Sequence, residues 1–186
     1  MEIIKRSIDG VYEVKLSPFL DERGFFMRTF DGVIFSQAGL ERPWIQENHS
    51  RSKKKGILRG LHFQFPPFAE TKLVRCIRGR VLDVFVDLRE KSPTFGQWDS
   101  VELSEENKTM IFIPRGFAHG FCTLTDESEV LYKVDNLYNP TYEGGLLWND
   151  PEIAIKWPTS NPILSAKDEK NITLKEFVEK FGALKI

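Results

Sequence analysis

The sequence has few of the features that mark secreted, membrane or nucleic-acid-binding proteins. Only two cysteines, Cys76 and Cys122, occur in 186 residues. They share no short motif, so we expect no disulfide framework and predict a cytoplasmic location. No run of residues approaches a membrane span, and the first residues contain no apolar signal segment. With 26 basic and 27 acidic residues, the charge balance gives no reason to expect a nucleic-acid or membrane partner.

Cofactor-binding fingerprints are also absent. No G-x-G-x-x-G follows a predicted strand and no Walker loop is present, so no cofactor is expected. Histidine is scarce, with three residues in the chain, which narrows the search for a general base at neutral pH. The composition is that of an ordinary globular protein, 41% hydrophobic and 28% charged. We predict a single domain spanning residues 1–186.

Most of the chain has the pattern of short β-strands. Residues 81–88 have a period of two, so successive side chains are predicted to point to opposite faces of a strand. Turn residues flank this segment on both sides. Further strands are predicted over residues 72–77, 101–103, 110–113, 121–124 and 130–134. They recur about every ten residues without alternating helices, which favours a sandwich or barrel over a parallel α/β sheet.

Two helices are predicted beside these strands. A short one covers residues 31–38. The second is C-terminal, where Thr173 and Glu176 form a capping box and Gly182 supplies a C-cap. One apolar stripe runs along it, formed by Leu174, Phe177, Val178 and Phe181. We expect this helix to cover the outside of the β core.

His62 lies among cations, with Arg59 and Lys72 nearby in the sequence. A base beside cations suits an anionic substrate, but a structural histidine in a strand fits the same pattern. In a regular strand, Arg59 and His62 have opposite parity and face opposite sides. Both side chains reach one pocket only if Gly60 marks a bulge or bend.

His119 ends a Pro-x-Gly-x-x-His segment that begins at Pro114. This segment resembles the second motif of the cupin superfamily, which has a jelly-roll fold and often binds metal through that histidine. Cupin metal sites also need a His-x-His pair, and this chain has only His62-Phe63-Gln64 at the corresponding strand. Two isolated histidines do not supply the three or four ligands of a divalent site, so we predict a barrel without metal.

Tyr132 and Asp168 are ambiguous from local sequence alone. Tyr132 has the parity of Val130 and Val134, so its ring is predicted to point into the barrel. There it is either a structural hydrogen-bonding group or a proton donor. Asp168 has the local sequence of a turn or capping residue.

Several segments together resemble one family more specifically than any single motif. They are residues 21–26, 46–50, 58–64, 72–76, 92–98, 113–121, 147–151 and 164–168, in this order. The sequence resembles the dTDP-4-dehydrorhamnose 3,5-epimerase family from about Pro18 to Asp168. The resemblance implies a mostly β, cupin-like jelly roll, a homodimer and no cofactor. It also implies an epimerase that inverts C3 and C5 of dTDP-4-dehydro-6-deoxy-D-glucose, giving dTDP-4-dehydro-L-rhamnose for rhamnose biosynthesis.

The resemblance also implies roles for individual residues. His62 matches the catalytic base, Asp168 the carboxylate that orients it, and Tyr132 the acid. Lys72 and His119 match residues that contact the reacting sugar, and Lys72 is expected to stabilise an enolate. The remaining matches are expected to bind the nucleotide sugar: Arg23, Gln46, Glu47, Asn48, Arg59, Tyr138, Glu143 and Lys167.

One position departs from the family pattern. Arg28 stands where the family has a glutamate near the ligand, which reverses a charge and leaves the nucleotide and the number of inverted centres open. The alternatives are an epimerase or isomerase of a CDP- or GDP-linked keto sugar, a metal-dependent cupin, and a non-catalytic cupin that binds a sugar nucleotide.

Overall fold

The computed structural model describes residues 1–186 and consists mainly of antiparallel β-strands. The strands are β1 (Glu2–Lys5), β2 (Tyr12–Lys15), β3 (Phe19–Asp21), β4 (Gly24–Phe26), β5 (Gln46–Ser52), β6 (Leu58–Gln64), β7 (Lys72–Arg78), β8 (Arg80–Asp87), β9 (Trp98–Ser104), β10 (Thr109–Ile113), β11 (Phe117–Thr123), β12 (Ser128–Val134) and β13 (Glu143–Gly145). The helices are α1 (Gly32–Gln37) and α2 (Leu174–Phe181), and single 3-10 turns lie at Pro140–Tyr142 and Asp168–Lys170.

The strands form two large sheets and one separate hairpin. One sheet has six strands in the order β1-β2-β10-β7-β12-β5, and the other has five in the order β13-β6-β11-β8-β9. Neighbours in sequence are often not neighbours in a sheet, so the chain crosses repeatedly between the two. The hairpin β3–β4 pairs only with itself. No helix in the structure is long and apolar enough to cross a membrane.

The main core lies between the two large sheets. Val74, Ile111 and Val130 come from the six-stranded sheet, and Phe85 and Phe121 come from the five-stranded sheet. Burying such aliphatic and aromatic side chains contributes about 1.5–3 kcal/mol each. The facing sheets therefore hold their strand ends in fixed positions around any cleft between them.

Helices cover the outer face of each sheet. Val84 and Val86 of β8 point away from the central core and pack in a second cluster with Phe177 of α2. Both alternating sets of β8 are thus buried, which accounts for its apolar character on both faces. Phe35 of α1 packs against the outer face of the six-stranded sheet with Phe112.

Each segment predicted as a helix or a strand has that structure, but several elements begin at residues other than those predicted. The helix predicted over 31–38 is α1, capped by the Asp31 carboxylate, which accepts from the backbone of Val33 and Ile34. The capping box and the glycine C-cap of α2 are both present, and α2 packs outside the β core. Strands β9, β11 and β12 begin two to four residues earlier than predicted. The strands β1, β2, β3, β4, β5 and β13 were not predicted.

Candidate active site

A pocket of about 430 Å³ opens between the two large sheets. Five strands, the 3-10 turn at residues 168–170 and the loop before it contribute the polar side chains of its wall. The polar residues that line it are Ser50, Arg59, His62, Lys72, His119, Tyr132, Ser165, Lys167 and Asp168. Seven of the predicted site residues therefore meet in one place, although they are spread over more than a hundred positions of sequence.

A bulge in β6 brings Arg59 and His62 to the same wall. His62 pairs with His119, but Arg59 pairs with Phe121, so β6 has one extra residue over this stretch. Gly60 occupies it with φ +124°, and a Cβ there would lie 2.7 Å from Gly120 Cα. Glycine is therefore required both for the conformation and for the close approach. The bulge at Gly60, which was the condition for Arg59 and His62 to share a pocket, is present.

His62 and Asp168 form a close pair at this wall. His62 Nε2 and Asp168 Oδ1 are 2.5 Å apart, and the His62 side chain keeps 31% of its surface exposed while Asp168 keeps 5%. Burial raises the pKa of Asp168, but hydrogen bonds from His62 and Ser165 outweigh it, and the net pKa is lowered. The ionised carboxylate accepts from Nε2, which leaves Nδ1 free to take up a proton.

His119 forms a second pair with a carboxylate that the sequence analysis did not identify. Its Nε2 lies 3.0 and 2.9 Å from the two oxygens of Asp83. The His119 side chain is 7% exposed and Asp83 is fully buried. The only sequence signal for Asp83 was its parity with Val81 and Phe85, which places a charged residue among core positions of β8.

Lys72 and Tyr132 lie on the opposite sheet, on neighbouring strands β7 and β12. Lys72 is buried, and its Nζ is 3.3 Å from Glu70 Oε1. Tyr132 pairs with Val74 and shares the face of Val130 and Val134, so its ring points between the sheets as predicted. The base candidate and the acid candidate therefore stand on facing walls of one pocket.

A polar cluster continues from the pocket along the outer edge of β13. The Tyr138 hydroxyl donates to Glu143 at 2.7 Å, and Lys167 Nζ lies 2.5 Å from the same carboxylate. The hydrogen bond to Glu143 raises the pKa of Tyr138. Gln46 joins the cluster by accepting from the backbone N–H of Tyr138 at 2.8 Å. Tyr138, Glu143 and Gln46 do not line the pocket itself.

Three further predicted ligand residues lie outside the pocket in the single chain. Arg23 is on the β3–β4 hairpin, where its side chain is 87% exposed and pairs with Asp21. Glu47 lies on β5 and pairs with Lys133 at 2.8 Å. Asn48 is exposed on the same strand, opposite Tyr132 in the register.

Arg28, the position that departs from the family pattern, also lies outside the pocket lining. Its guanidinium pairs with Asp31 at 2.8 Å, the residue that caps α1. In this chain the arginine therefore bonds to a helix cap, and its charge is matched locally.

The structure contains no group of three or more His, Cys, Asp or Glu side chains placed to hold a metal ion. Each pocket histidine bonds a single carboxylate instead. Both cysteines are buried, and burial raises the pKa of each thiol to about 11. Neither thiol is therefore available as a nucleophile at neutral pH.

The sequence and the fold were compared with those of known proteins. The family model described as dTDP-4-dehydrorhamnose 3,5-epimerase matches residues 5–176. The chain is 52% identical over 169 residues to dTDP-4-dehydrorhamnose 3,5-epimerase of Shigella flexneri, covering 90% of this chain and 93% of that protein.

Solved structures agree with this result. The dTDP-6-deoxy-D-glucose-3,5-epimerase of Legionella pneumophila, in complex with dTDP-4-keto-L-rhamnose, superposes with a TM-score of 0.92 at 39% identity, covering 100% of this chain and 98% of that one. A 3'-monoepimerase of Streptomyces bikiniensis in complex with dTDP-quinovose gives 0.90 at 35% identity, covering 98% and 92%. The predicted mostly β, cupin-like jelly roll is confirmed, and the chain belongs to the dTDP-4-dehydrorhamnose 3,5-epimerase family.

Proposed function

We propose that the chain epimerises a dTDP-linked 4-keto-6-deoxy sugar at C3 and C5, converting dTDP-4-dehydro-6-deoxy-D-glucose to dTDP-4-dehydro-L-rhamnose. The observation that carries this is the pairing of His62 with Asp168 across a pocket from Tyr132. The match to the epimerase family supports the substrate class. Residues 1–186 act in this proposal as one epimerase domain.

His62 is the base in the proposed reaction. A C–H bond beside a ketone is weakly acidic, and removing its proton leaves an enolate with its charge on the C4 oxygen. Asp168 holds one imidazole nitrogen and stabilises the imidazolium that forms when the other accepts the proton. The partial exposure of His62 lets the substrate carbon reach that nitrogen.

Lys72 is the residue proposed to stabilise the enolate. A buried ammonium close to the C4 oxygen opposes the charge that develops in the transition state, and such preorganised groups often supply the largest catalytic effect. His119 lies on the facing sheet and is proposed to contact the same sugar. The carboxylate of Glu70 at 3.3 Å keeps Lys72 in place between turnovers.

Tyr132 is proposed to return the proton on the opposite face of the sugar. Inversion requires that the acid and the base lie on different sides of the reacting carbon. Tyr132 belongs to the six-stranded sheet and His62 to the five-stranded sheet, so a sugar between the sheets has one residue on each face. The reaction is redox-neutral, in agreement with the prediction that no cofactor takes part.

The nucleotide is proposed to bind toward the outer cluster. Arg59 and Lys167 at the pocket mouth supply positive charge for the diphosphate, and arginine binds its oxygens bidentately. Tyr138 and Glu143 offer an aromatic face and a hydrogen-bond acceptor nearby. Gln46, Glu47 and Asn48 continue along β5 beside this cluster and complete the proposed ligand contacts.

Arg23 lies on the β3–β4 hairpin, outside the pocket of its own chain. The hairpin that carries it exposes a set of large apolar side chains, namely Phe19, Leu20, Phe25 and Phe26. A contiguous apolar surface of this kind marks a protein interface. We therefore propose a homodimer in which the hairpin is covered by the partner, and a cytoplasmic location for the assembly. Sedimentation should give a mass in solution of twice the chain mass. Replacing Phe19 and Phe26 by serine should lower this mass to that of a single chain.

A single-centre epimerase is the second candidate. A 3'-monoepimerase is among the similar structures, and Arg28 replaces the expected glutamate and pairs with Asp31. Both candidates use the same base and acid, and they differ in how many carbons exchange their proton.

Proton exchange in D2O separates these candidates. Chelator-treated protein is incubated with dTDP-4-keto-6-deoxyglucose, and the sugar is followed by NMR. Deuterium at C3 and C5 is the expected result, and deuterium at C3 alone would favour the single-centre epimerase. No exchange with this substrate would refute the proposal, and CDP- and GDP-linked keto sugars would then test the other nucleotides. Activity lost on chelation and restored by a metal ion would contradict the metal-free mechanism.

A further inference from the structure

Asp150 is a buried carboxylate that does not line the catalytic pocket, and the mechanism above leaves it without a role. A buried carboxylate must be hydrogen-bonded. Oδ1 of Asp150 accepts from the backbone N–H groups of Glu152 and Ile153, both at 2.8 Å. Oδ2 accepts from the backbone N–H of Leu174, the first residue of α2, at 2.7 Å. One side chain therefore joins a turn to a helix that begins 24 residues later.

Backbone hydrogen bonds connect the same region to β6. Leu146 N–H donates to the carbonyl of Leu61 at 2.9 Å, and Leu147 N–H donates to the carbonyl of Ile172 at 2.8 Å. Leu61 directly precedes His62. The segment 146–150 is thus attached to the strand of the base on one side and to the start of α2 on the other.

Asp168 lies on the stretch of chain that these contacts fix. That stretch is held at its beginning by the bridge between Ile57 and Ile163. It is held at its end by the backbone contact of Ile172 with Leu147 and by the contact of Leu174 with Asp150. Between these points, the nearest side-chain support for Asp168 is the hydroxyl of Ser165, which accepts from its backbone N–H at 3.1 Å. The 2.5 Å contact with His62 requires the stretch to stay in place within a fraction of an ångström.

We propose that Asp150 is a positioning residue for catalysis, fixing the start of α2 so that Asp168 stays against His62. This inference rests on the function proposed above, in which Asp168 orients the base. Asp150 touches neither the substrate nor the dyad. It acts through the backbone between residues 168 and 174.

The test uses Asp150→Asn in the full chain. An amide keeps one oxygen for the turn at Glu152 and Ile153, but its nitrogen cannot accept from Leu174. We expect kcat for deuterium exchange to fall between about tenfold and a hundredfold. The hydrogen-bonded imidazole proton of His62 should give a downfield 1H NMR resonance, identified by its loss in His62→Ala. That resonance should broaden or shift in Asp150→Asn.

Thr173→Ala is the matched control at the same helix end. Thr173 Oγ1 accepts from the backbone N–H of Glu176 at 3.2 Å, so its loss weakens the α2 cap without touching the contact from Asp150. The melting temperature should drop by a few degrees, while kcat and the His62 resonance stay at wild-type values.

Three results would overturn the inference. They are an unchanged kcat in Asp150→Asn, an unchanged His62 resonance in that variant, or an equal loss of kcat in Thr173→Ala, which would assign the effect to helix stability. If Asp150→Asn does not fold, Asp150→Ser serves in its place, because its hydroxyl supports the turn but is too short to reach Leu174. Absence of exchange in the wild type would refute the proposed function, while the resonance would still test the positioning.

Discussion

Two histidine–aspartate pairs stand side by side in this molecule and differ in how they are built. His62 and His119 are register partners on β6 and β11. His119 bonds Asp83, which lies on the neighbouring strand β8, and both side chains are almost completely buried. His62 bonds Asp168, which comes from a loop 106 residues later, and its ring stays 31% exposed.

In the proposed function, this difference separates His62, the group that transfers the proton, from His119, a supporting group. A base must meet its substrate, so the imidazole has to keep an open edge, and its carboxylate has to approach from behind. A loop can supply that carboxylate without closing the pocket, whereas a carboxylate on the adjacent strand holds its histidine within the sheet. We therefore expect the His62 pair to control the rate, and the His119 pair to control the shape and stability of the wall.

Replacing the two histidines in turn should give the largest contrast. His62→Ala removes the proposed base, and we expect deuterium exchange at the sugar carbons to fall on the order of 10⁴-fold. His119→Ala should keep measurable exchange, since the base and its carboxylate remain. Single-turnover exchange in D2O measures both. Equal losses in the two variants would contradict the division of roles.

The carboxylate of the exposed pair should come next in effect. Asp168→Asn removes the charge proposed to fix the His62 tautomer, and we expect kcat to fall on the order of 10³-fold with the fold retained. Glu169→Gln is the matched control, because Glu169 is the neighbouring carboxylate and is exposed. It should keep wild-type kcat. Near-full activity in Asp168→Asn would remove Asp168 from the catalytic pair.

The buried pair should show its effect in stability. Asp83→Asn leaves His119 in a buried site without its charged partner, and we expect the free energy of unfolding to fall by about 3 kcal/mol. Urea denaturation of Asp83→Asn and Asp168→Asn measures the contrast. We expect the larger loss of unfolding free energy in Asp83→Asn, because the pair of Asp83 and His119 is more deeply buried. A larger loss in Asp168→Asn would reverse the comparison.

The two pairs also differ in how much of them the sequence could reveal. His62, Tyr132 and Lys72 lie on strands, where parity and the glycine at position 60 carry information about which way a side chain points. Asp168 looked like a turn residue, and only the family resemblance connected it to His62. Its position depends on contacts between segments far apart in sequence, which periodicity does not encode.

Asp83 was missed for the opposite reason. It stands in a strand whose two faces are both buried, so an aspartate there had no visible function until His119 was found beside it. Arg23 illustrates a third case, since a residue on an isolated hairpin cannot be placed relative to a site from one chain alone. The short strands β1 to β4 also went unpredicted, because three or four residues are too few to establish an alternation.

Acid sensitivity should give the smallest effect and the sharpest test of the exposed pair. Burial raises the pKa of Asp168, but the hydrogen bonds from His62 and Ser165 lower it by more than burial raises it. Its folded-state pKa therefore lies below the ordinary value of 3.8. A depressed carboxyl pKa contributes stability above the unfolded-state pKa, and this stability is lost as the pH falls through the folded-state pKa. The free energy of unfolding of the wild type should therefore exceed that of Asp168→Asn at about pH 6, and the gap should narrow as the pH falls below about 4. Urea denaturation of both proteins across this range measures the gap. A gap that stays constant down to about pH 3 would mean that the carboxylate charge of Asp168 contributes nothing to the pair.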